Sequence, residues 1–223
     1  MSAALAEVQR IDVSALPTQR WKNGAGATRE VARGPADASF DDFDWRISLA
    51  EIERDAPFSA FPGIDRCIVL LQGAGMDLLG ETGNAVQTLN RLVPWTFDGE
   101  RALSAHLTGG PCSDFNVMTR RGRWRADVRV LHGAAAVASG HVTLLLAVDG
   151  AWQVGQEGIE PMQALLWHGL YATQRGHITL ATWILQRAIV AEDRYCMQPE
   201  AQRAREALAE VSRKRPGASN IDR

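Results

Sequence analysis

The 223-residue chain is poor in cysteine, and its three cysteines lie far apart in the sequence. Cys67, Cys112 and Cys196 form no Cys-x-x-Cys pair, and their odd number does not suit a disulfide framework. Neither a disulfide scaffold nor a zinc ribbon is therefore indicated. We expect reduced thiols and a cytoplasmic protein, because disulfides are rare in that compartment.

Long apolar runs are also missing. Glu7, Arg10 and Asp12 interrupt the N-terminal stretch before an apolar signal segment can form. No later run approaches the ~18 apolar residues of a membrane-spanning helix. We therefore expect neither a signal peptide nor a membrane partner.

The chain has almost no net charge. Its 24 basic and 26 acidic side chains give a net charge of −2, which creates no global field to attract nucleic acid or anionic lipid. The segment RRGRWR at 120–125 combines arginine with tryptophan, as a nucleic-acid patch does, but a solvated hairpin tip is the commoner explanation. We predict no nucleic-acid partner, so any recognition of charge must be local. The sequence leaves a homodimer open.

Motifs for metal binding and nucleophilic catalysis are absent from the sequence. The five histidines never occur as His-x-His or His-x-x-x-His, although histidines distant in sequence could still meet in space: His106, His132, His141, His168 and His177. There is no Gly-x-Ser-x-Gly elbow, no Walker loop and no dinucleotide-binding fingerprint. We therefore predict a protein without a metal or a cofactor.

The residues 43–66, FDWRISLAEIERDAPFSAFPGIDR, carry the densest signal in the chain. In an extended strand, Trp45, Ile47 and Leu49 point to one face, while Arg46 and Ser48 point to the other. One face of this strand is therefore apolar and suits a core. The opposite face carries a guanidinium and a hydroxyl.

An aromatic loop follows this strand. Two prolines and a glycine in residues 55–63 prevent a regular ladder, while Phe58 and Phe61 need cover from water. Arg66 opens the next apolar run, so the loop is bracketed by strands that carry Arg46 and Arg66. Two guanidiniums, hydroxyls and aromatic rings suit a small anionic ligand. Surface ion pairs and aromatic residues that only plug the end of a sandwich remain the alternative.

Short strand-like segments separated by glycine continue through the chain. They predict an all-β sandwich or barrel, and they cover residues 67–71, 76–79, 103–107, 114–118, 142–148, 164–167 and 178–184. Pro199, an apolar stripe and a basic C-terminal end predict one helix over residues 199–212, followed by a stop at Pro216.

Four sequence blocks resemble the successive signatures of the HutD/Ves family. They are WKNGAGATREVA (21–32), the 43–66 stretch, FDGE (97–100) and SDFNVMTRRG (113–122). The resemblance implies a bacterial protein with a cupin-type, all-β double barrel (a bicupin), associated with histidine utilisation and without an assigned reaction. It suggests a compact unit over residues 1–195, with a first barrel mainly in 1–130, a second mainly in 131–195, and strand exchange left open. Residues 196–223 would then form a C-terminal helix and a disordered tail.

These observations predict a metal-free protein that binds a small, anionic, carboxylate-bearing metabolite and acts in regulation or as an accessory. The resemblance suggests histidine-breakdown intermediates such as formyl- or formimino-glutamate. Carried over from the blocks that match the family, the expected ligand-binding residues are Trp21, Lys22, Asn23, Arg46, Ser48, Phe58, Ser59, Phe61, Arg66, Asp114 and Asn116. The alternative is a metal-independent isomerase or hydrolase on a polar metabolite, with Asp114 as its base.

Overall fold

A computed structural model of the chain describes residues 8–133, 142–154 and 157–168, together with the backbone of residues 183–188. Within these ranges the regular structure is seventeen strands and one short 3-10 helix, Val13–Ala15, which confirms the nearly all-β prediction. No helix there is long and apolar enough to cross a bilayer. The strands are β1 (Val8–Asp12), β2 (Thr18–Arg20), β3 (Gly26–Gly34), β4 (Trp45–Ile52), β5 (Ala56–Pro57), β6 (Ile64–Gln72), β7 (Met76–Leu79), β8 (Ala85–Leu89), β9 (Trp95–Asp98), β10 (Ser104–Leu107), β11 (Cys112–Arg120), β12 (Arg125–Val130), β13 (Val142–Leu146), β14 (Trp152–Val154), β15 (Glu157–Ile159), β16 (Gln163–His168) and β17 (Trp183–Ala188).

A six-stranded antiparallel sheet, here called the site sheet, organises the fold. Its strand order is β2-β3-β4-β11-β6-β9, so strands that are distant in sequence become neighbours. β11 lies at the centre between β4 and β6, and Met118 on β11 is opposite both Arg46 and Arg66. Directly opposed residues of antiparallel strands share a face, so these three side chains form one row across the sheet.

One face of the site sheet packs on a five-stranded sheet of order β1-β16-β13-β17-β12. Trp45, Ile47 and Leu49 lie in the shared core with Leu144 and Leu146. The side chains of Arg46 and Ser48 lie on the other face of the site sheet. The alternation predicted for residues 45–49 is thus present. Burial of this apolar surface is the main contribution to the stability of the pair of sheets.

The other face of the site sheet is only partly covered. A four-stranded sheet, β5-β10-β7-β8, packs against one end of it through a second core that joins Ile52, Ile68 and Leu70 to Met76 and Leu78. As far as the chain is described, each sheet has an open strand order and does not close into a barrel. The remainder of this face borders a cavity.

Two details differ from the sequence-based expectations. The last strand covers residues 183–188 where 178–184 was expected, and residues 178–182 lie outside the described ranges. The turn after Arg120 is not a hairpin tip, because β11 belongs to the site sheet and β12 to the five-stranded sheet. The expected helix over 199–212 also lies outside the described residues, and the division into two barrels stays a prediction.

Candidate functional site

A cavity of about 520 Å³ opens on the uncovered part of the site sheet. This volume is typical of sites for small molecules. All eleven residues predicted from the sequence line it: Trp21, Lys22, Asn23, Arg46, Ser48, Phe58, Ser59, Phe61, Arg66, Asp114 and Asn116. The fold therefore brings the whole predicted set together, while ligand binding itself stays a prediction.

Two buried arginines lie in the same row of the cavity wall. Arg46 on β4 and Arg66 on β6 are each only 5% exposed, and both are opposite Met118. Because they are two strands apart, their backbones are separated by roughly 10 Å. The wall thus carries two guanidinium groups at a spacing that a small polar molecule can bridge.

Arg46 is anchored at one nitrogen. Its Nε donates a hydrogen bond of 2.7 Å to Oε2 of Glu30, and Arg33 pairs with the other oxygen of Glu30 at 3.0 Å. The guanidinium also lies 5.1 Å from the ring centre of Phe40, a distance typical of cation–π contacts. The Nε bond is the one hydrogen bond that its side chain makes to the described part of the chain. Its two terminal nitrogens are therefore available to an anion.

Arg66 makes more contacts than Arg46, although its buried Nε has no hydrogen-bond acceptor among the described residues. Its Nη2 donates to Oδ1 of Asn116 at 2.8 Å, and Nη1 makes a long contact of 3.5 Å with the carbonyl oxygen of Ser59. Three rings surround the guanidinium, with centres 5.2 Å away for Phe58, 5.6 Å for Phe61 and 4.9 Å for Phe97. Burial lowers the pKa of Arg66 to about 10, against the attraction of a nearby acid. Arg66 remains a cation at neutral pH.

That acid is Asp114, which is only 1% exposed. Burial raises the pKa of Asp114 to about 7, although Arg66 and a hydrogen bond from Asn116 oppose this shift. Nδ2 of Asn116 donates to Oδ1, whereas Oδ2 has no hydrogen-bond donor among the described residues. Asp114 can therefore accept a further hydrogen bond or exchange a proton near neutral pH.

The rim of the cavity is the turn between β2 and β3. Trp21 packs partly into the core and donates from Nε1 to Oγ1 of Thr28 at 2.8 Å. Oδ1 of Asn23 accepts from the backbone N–H of Ala25 at 3.0 Å, so its side chain fixes the turn and is less free for a ligand than the sequence suggested. Lys22 has no ion-pair partner in the part of the chain that the structure describes, which leaves a free cation at the rim.

Sequence reasoning missed several residues of the site. Those lining the cavity are Gln19, Arg20, Thr28, Phe40, Ala50, Pro57 and Met118. Glu30 and Phe97 lie behind it, against Arg46 and Arg66. Glu30 and Phe97 belong to two of the quoted sequence blocks, WKNGAGATREVA and FDGE, so attention to every polar or aromatic residue of those blocks would have found them. Phe40 lies in a loop without any such signal.

The residues of the cavity do not suit a divalent metal. Its lining contains one carboxylate, from Asp114, and neither histidine nor cysteine. Across the described ranges, no group of three His, Cys, Asp or Glu side chains could hold a metal ion. Protein sites for such ions normally supply three or more of these side chains. The expectation of a protein without a metal stays a prediction.

The arginines near the surface have other roles. Arg121 donates to Asp65 and Glu100 at 2.6 Å each and to Asp98 at 3.2 Å, which joins the end of β11 to β6 and β9. Arg123 pairs with Asp44 at 3.0 Å. These ion pairs account for part of the basic segment at 120–125 as structural contacts.

Comparison with known proteins gives a consistent result. The model of the HutD family matches residues 13–183. Protein Ves of Cronobacter sakazakii is 40% identical over 158 residues, which cover 70% of this chain and 84% of that protein. HutD from Pseudomonas fluorescens SBW25, in a formate condition, has a TM-score of 0.73 and 28% identity, covering 82% of this chain and 99% of that chain. A conserved protein of unknown function from Pseudomonas aeruginosa PAO1 has a TM-score of 0.70 and 27% identity, covering 82% and 98%.

Proposed function

The chain belongs to the HutD family, and we propose that it is a metal-free protein of the cupin type that binds a small carboxylate-bearing metabolite. In this proposal the described sheets are parts of a double barrel, and the protein acts in the cytoplasm as a regulatory or accessory factor. The observation that carries the proposal is the row of two buried arginines, Arg46 and Arg66, on the wall of one cavity.

The charges of the cavity support an anionic ligand. Four cationic side chains line it, from Arg20, Lys22, Arg46 and Arg66, against the single carboxylate of Asp114. Burying two guanidiniums costs desolvation free energy, which a bound anion offsets by charge-assisted hydrogen bonds. Arg20 already pairs with Glu53, so Arg46 and Lys22 are the cations best placed to meet a ligand.

The two arginines differ in what they offer. Arg46 uses one nitrogen for Glu30 and keeps its planar terminal pair for a carboxylate, the geometry that arginine recognises best. Arg66 donates to Asn116 from Nη2 and is enclosed by aromatic rings, so it contributes positive potential and holds the wall, although its Nε has no acceptor among the described residues. We therefore assign the direct carboxylate contact to Arg46.

The ligand that we propose is an intermediate of histidine breakdown, such as formyl- or formimino-glutamate. The support is the association with histidine utilisation that the sequence resemblance to the family implies. Both compounds carry carboxylates and a planar nitrogen group, and their size suits a cavity of about 520 Å³.

A thermal-shift screen tests the proposal. A ligand at ~100 times its Kd stabilises the folded state by about 2.7 kcal/mol. For a chain of this length that is a rise in melting temperature of roughly 5–11 °C. We expect such a rise with formyl-glutamate and none with its uncharged diamide. The absence of a shift with every carboxylate tested at ~10 mM would contradict the proposal.

Catalysis by Asp114 is the second candidate, because its pKa of about 7 and its unpartnered Oδ2 suit a general base. This candidate is an isomerase or hydrolase that works without a metal. It requires turnover of a polar metabolite by chelator-treated protein, and loss of turnover in Asp114→Asn with binding retained. Binding without any turnover favours the regulatory or accessory role.

A further inference from the structure

Asp114 has an oxygen whose hydrogen bonding is incomplete. Oδ1 accepts from Asn116, while Oδ2 is buried and has no donor among the described residues. A buried acceptor without a partner destabilises the folded state, and more so when it is charged. Such groups are rare in native proteins, where they usually serve a function or meet an ordered water or ion. A group that enters the cavity with a donor would complete the hydrogen bonding of Oδ2.

The neighbours of Asp114 do not supply the missing donor, since the buried Nε of Arg66 also lacks a partner among the described residues and therefore does not reach Oδ2. Asn116 accepts from Arg66 with Oδ1 and donates to Asp114 with Nδ2, which fixes the amide between the two charges. The other charged groups around the cavity, on β2, β4 and the rim turn, are cations: Arg20, Lys22 and Arg46. Arg46 and Asp114 lie on adjacent strands and line the same cavity. The wall thus presents a site for an anion beside a site for a hydrogen-bond donor.

We propose that Asp114 accepts a hydrogen bond from an N–H group of the ligand, so that the ligand is an amino-acid-derived carboxylate and not a plain dicarboxylate. This inference rests on the carboxylate binding proposed above, in which Arg46 holds the acid group. A methylene group at this position would leave Oδ2 without a donor. A second carboxylate there would be repelled by Asp114.

Three acids built on the same five-carbon diacid chain separate the possibilities. Glutarate, glutamate and N-formylglutamate share the same diacid chain, but only the last two carry N–H donors. Calorimetric titration of the full chain at pH 8 measures the Kd of each. We expect at least one of the N–H-bearing acids to bind about ten-fold or more tightly than glutarate, the effect of one hydrogen bond to a charged group.

Asp114→Asn should reduce this preference to within about threefold, because the amide is a weaker, uncharged acceptor. Asp65→Asn is the matched control, since Asp65 is a carboxylate of β6 that pairs with Arg121 and does not line the cavity. It should keep the full preference. A wild-type preference that survives Asp114→Asn would overturn the role of Asp114.

Proton release gives a readout that does not depend on the variant. Burial raises the pKa of Asp114 to about 7, so part of the population carries a proton on this carboxyl near neutral pH. An N–H donor favours the ionised form, so binding should release a fraction of a proton. Titrations at pH 7 in buffers of different ionisation enthalpy measure this number, and glutarate should release none.

The outcomes distinguish the two proposals. Tight binding of glutarate, equal to that of the N–H-bearing acids, would overturn the inference about Asp114 and leave carboxylate binding intact. Failure of all three acids to bind at millimolar concentration would overturn both. Proton uptake with N-formylglutamate would also contradict the inference, because it would show that the ligand places an oxygen against Asp114.

Discussion

Replacing Arg46 by methionine should weaken ligand binding while the protein remains folded. Methionine fills a similar volume but lacks the two terminal nitrogens of Arg46, which make no hydrogen bond to Glu30. A hydrogen bond to a charged group contributes about 1.5–3 kcal/mol, so the Kd for a carboxylate should rise roughly ten- to 150-fold. Arg46→Lys should restore little of this, because lysine keeps the charge but lacks the planar pair of donors.

Arg66→Met should act differently, on stability. The charge of Arg66 acts on the buried carboxyl of Asp114, and Arg66 also donates to Asn116. Arg66 compensates Asp114 across Asn116 and not by a direct ion pair, so its removal should cost up to the roughly 3–5 kcal/mol of a broken buried pair, a drop in melting temperature of at most roughly 6–20 °C at pH 8. The loss should be smaller at pH 5, where a protonated Asp114 no longer needs a cation.

Melting curves and calorimetric titrations with formyl-glutamate measure both effects. Arg33→Met is the matched control for Arg46, because Arg33 pairs with the same Glu30 and does not line the cavity. It should leave the Kd within twofold. Unchanged affinity in folded Arg46→Met would refute the direct contact, and an equal loss in Arg33→Met would show that Glu30, and not Arg46, is responsible.

Three further predictions follow from the charges and from the family match. Burial raises the pKa of Asp114 in the folded state to about 7, so protonation of this carboxyl stabilises the folded state fully below pH ~4, and that stabilisation is lost as pH rises to about 7. The melting temperature of wild type minus that of Asp114→Asn should therefore fall over this range. Glu100 has a pKa lowered to about 2, mainly by Arg121, so the modest destabilisation by Arg121→Met should be present at pH 7 and shrink as pH falls from 4.5 towards 2. Truncation after residue 199 should leave melting temperature and Kd unchanged, because the family match ends at residue 183; aggregation of the shortened protein would contradict this.

Much of the site could be predicted because strands have a period of two. Arg46 and Ser48 had to share a face once Ile47 and Leu49 were buried, and the same rule places Asp114 with Asn116. The local pattern thus identified the residues that point away from the core. The family resemblance then selected which of those faces belong together.

The partners of these residues could not be predicted, because they depend on strand order. Arg66 meets Asn116 only because β11 lies between β4 and β6, and the two residues are 50 positions apart. Glu30 lies at a register shift in β3, which a strict alternation of side chains does not anticipate. The sequence favoured a solvated hairpin tip for Arg121, and only the fold shows its three acidic partners.

The central claim is that the cavity binds a carboxylate through Arg46. A crystal structure of the full chain grown with saturating formyl-glutamate tests it most directly. We predict a carboxylate 2.7–2.9 Å from a terminal nitrogen of Arg46, the usual length of a charge-assisted hydrogen bond, with the rest of the ligand between Phe58 and Asp114. A ligand bound elsewhere, or a carboxylate held by Lys22 without Arg46, would contradict the account.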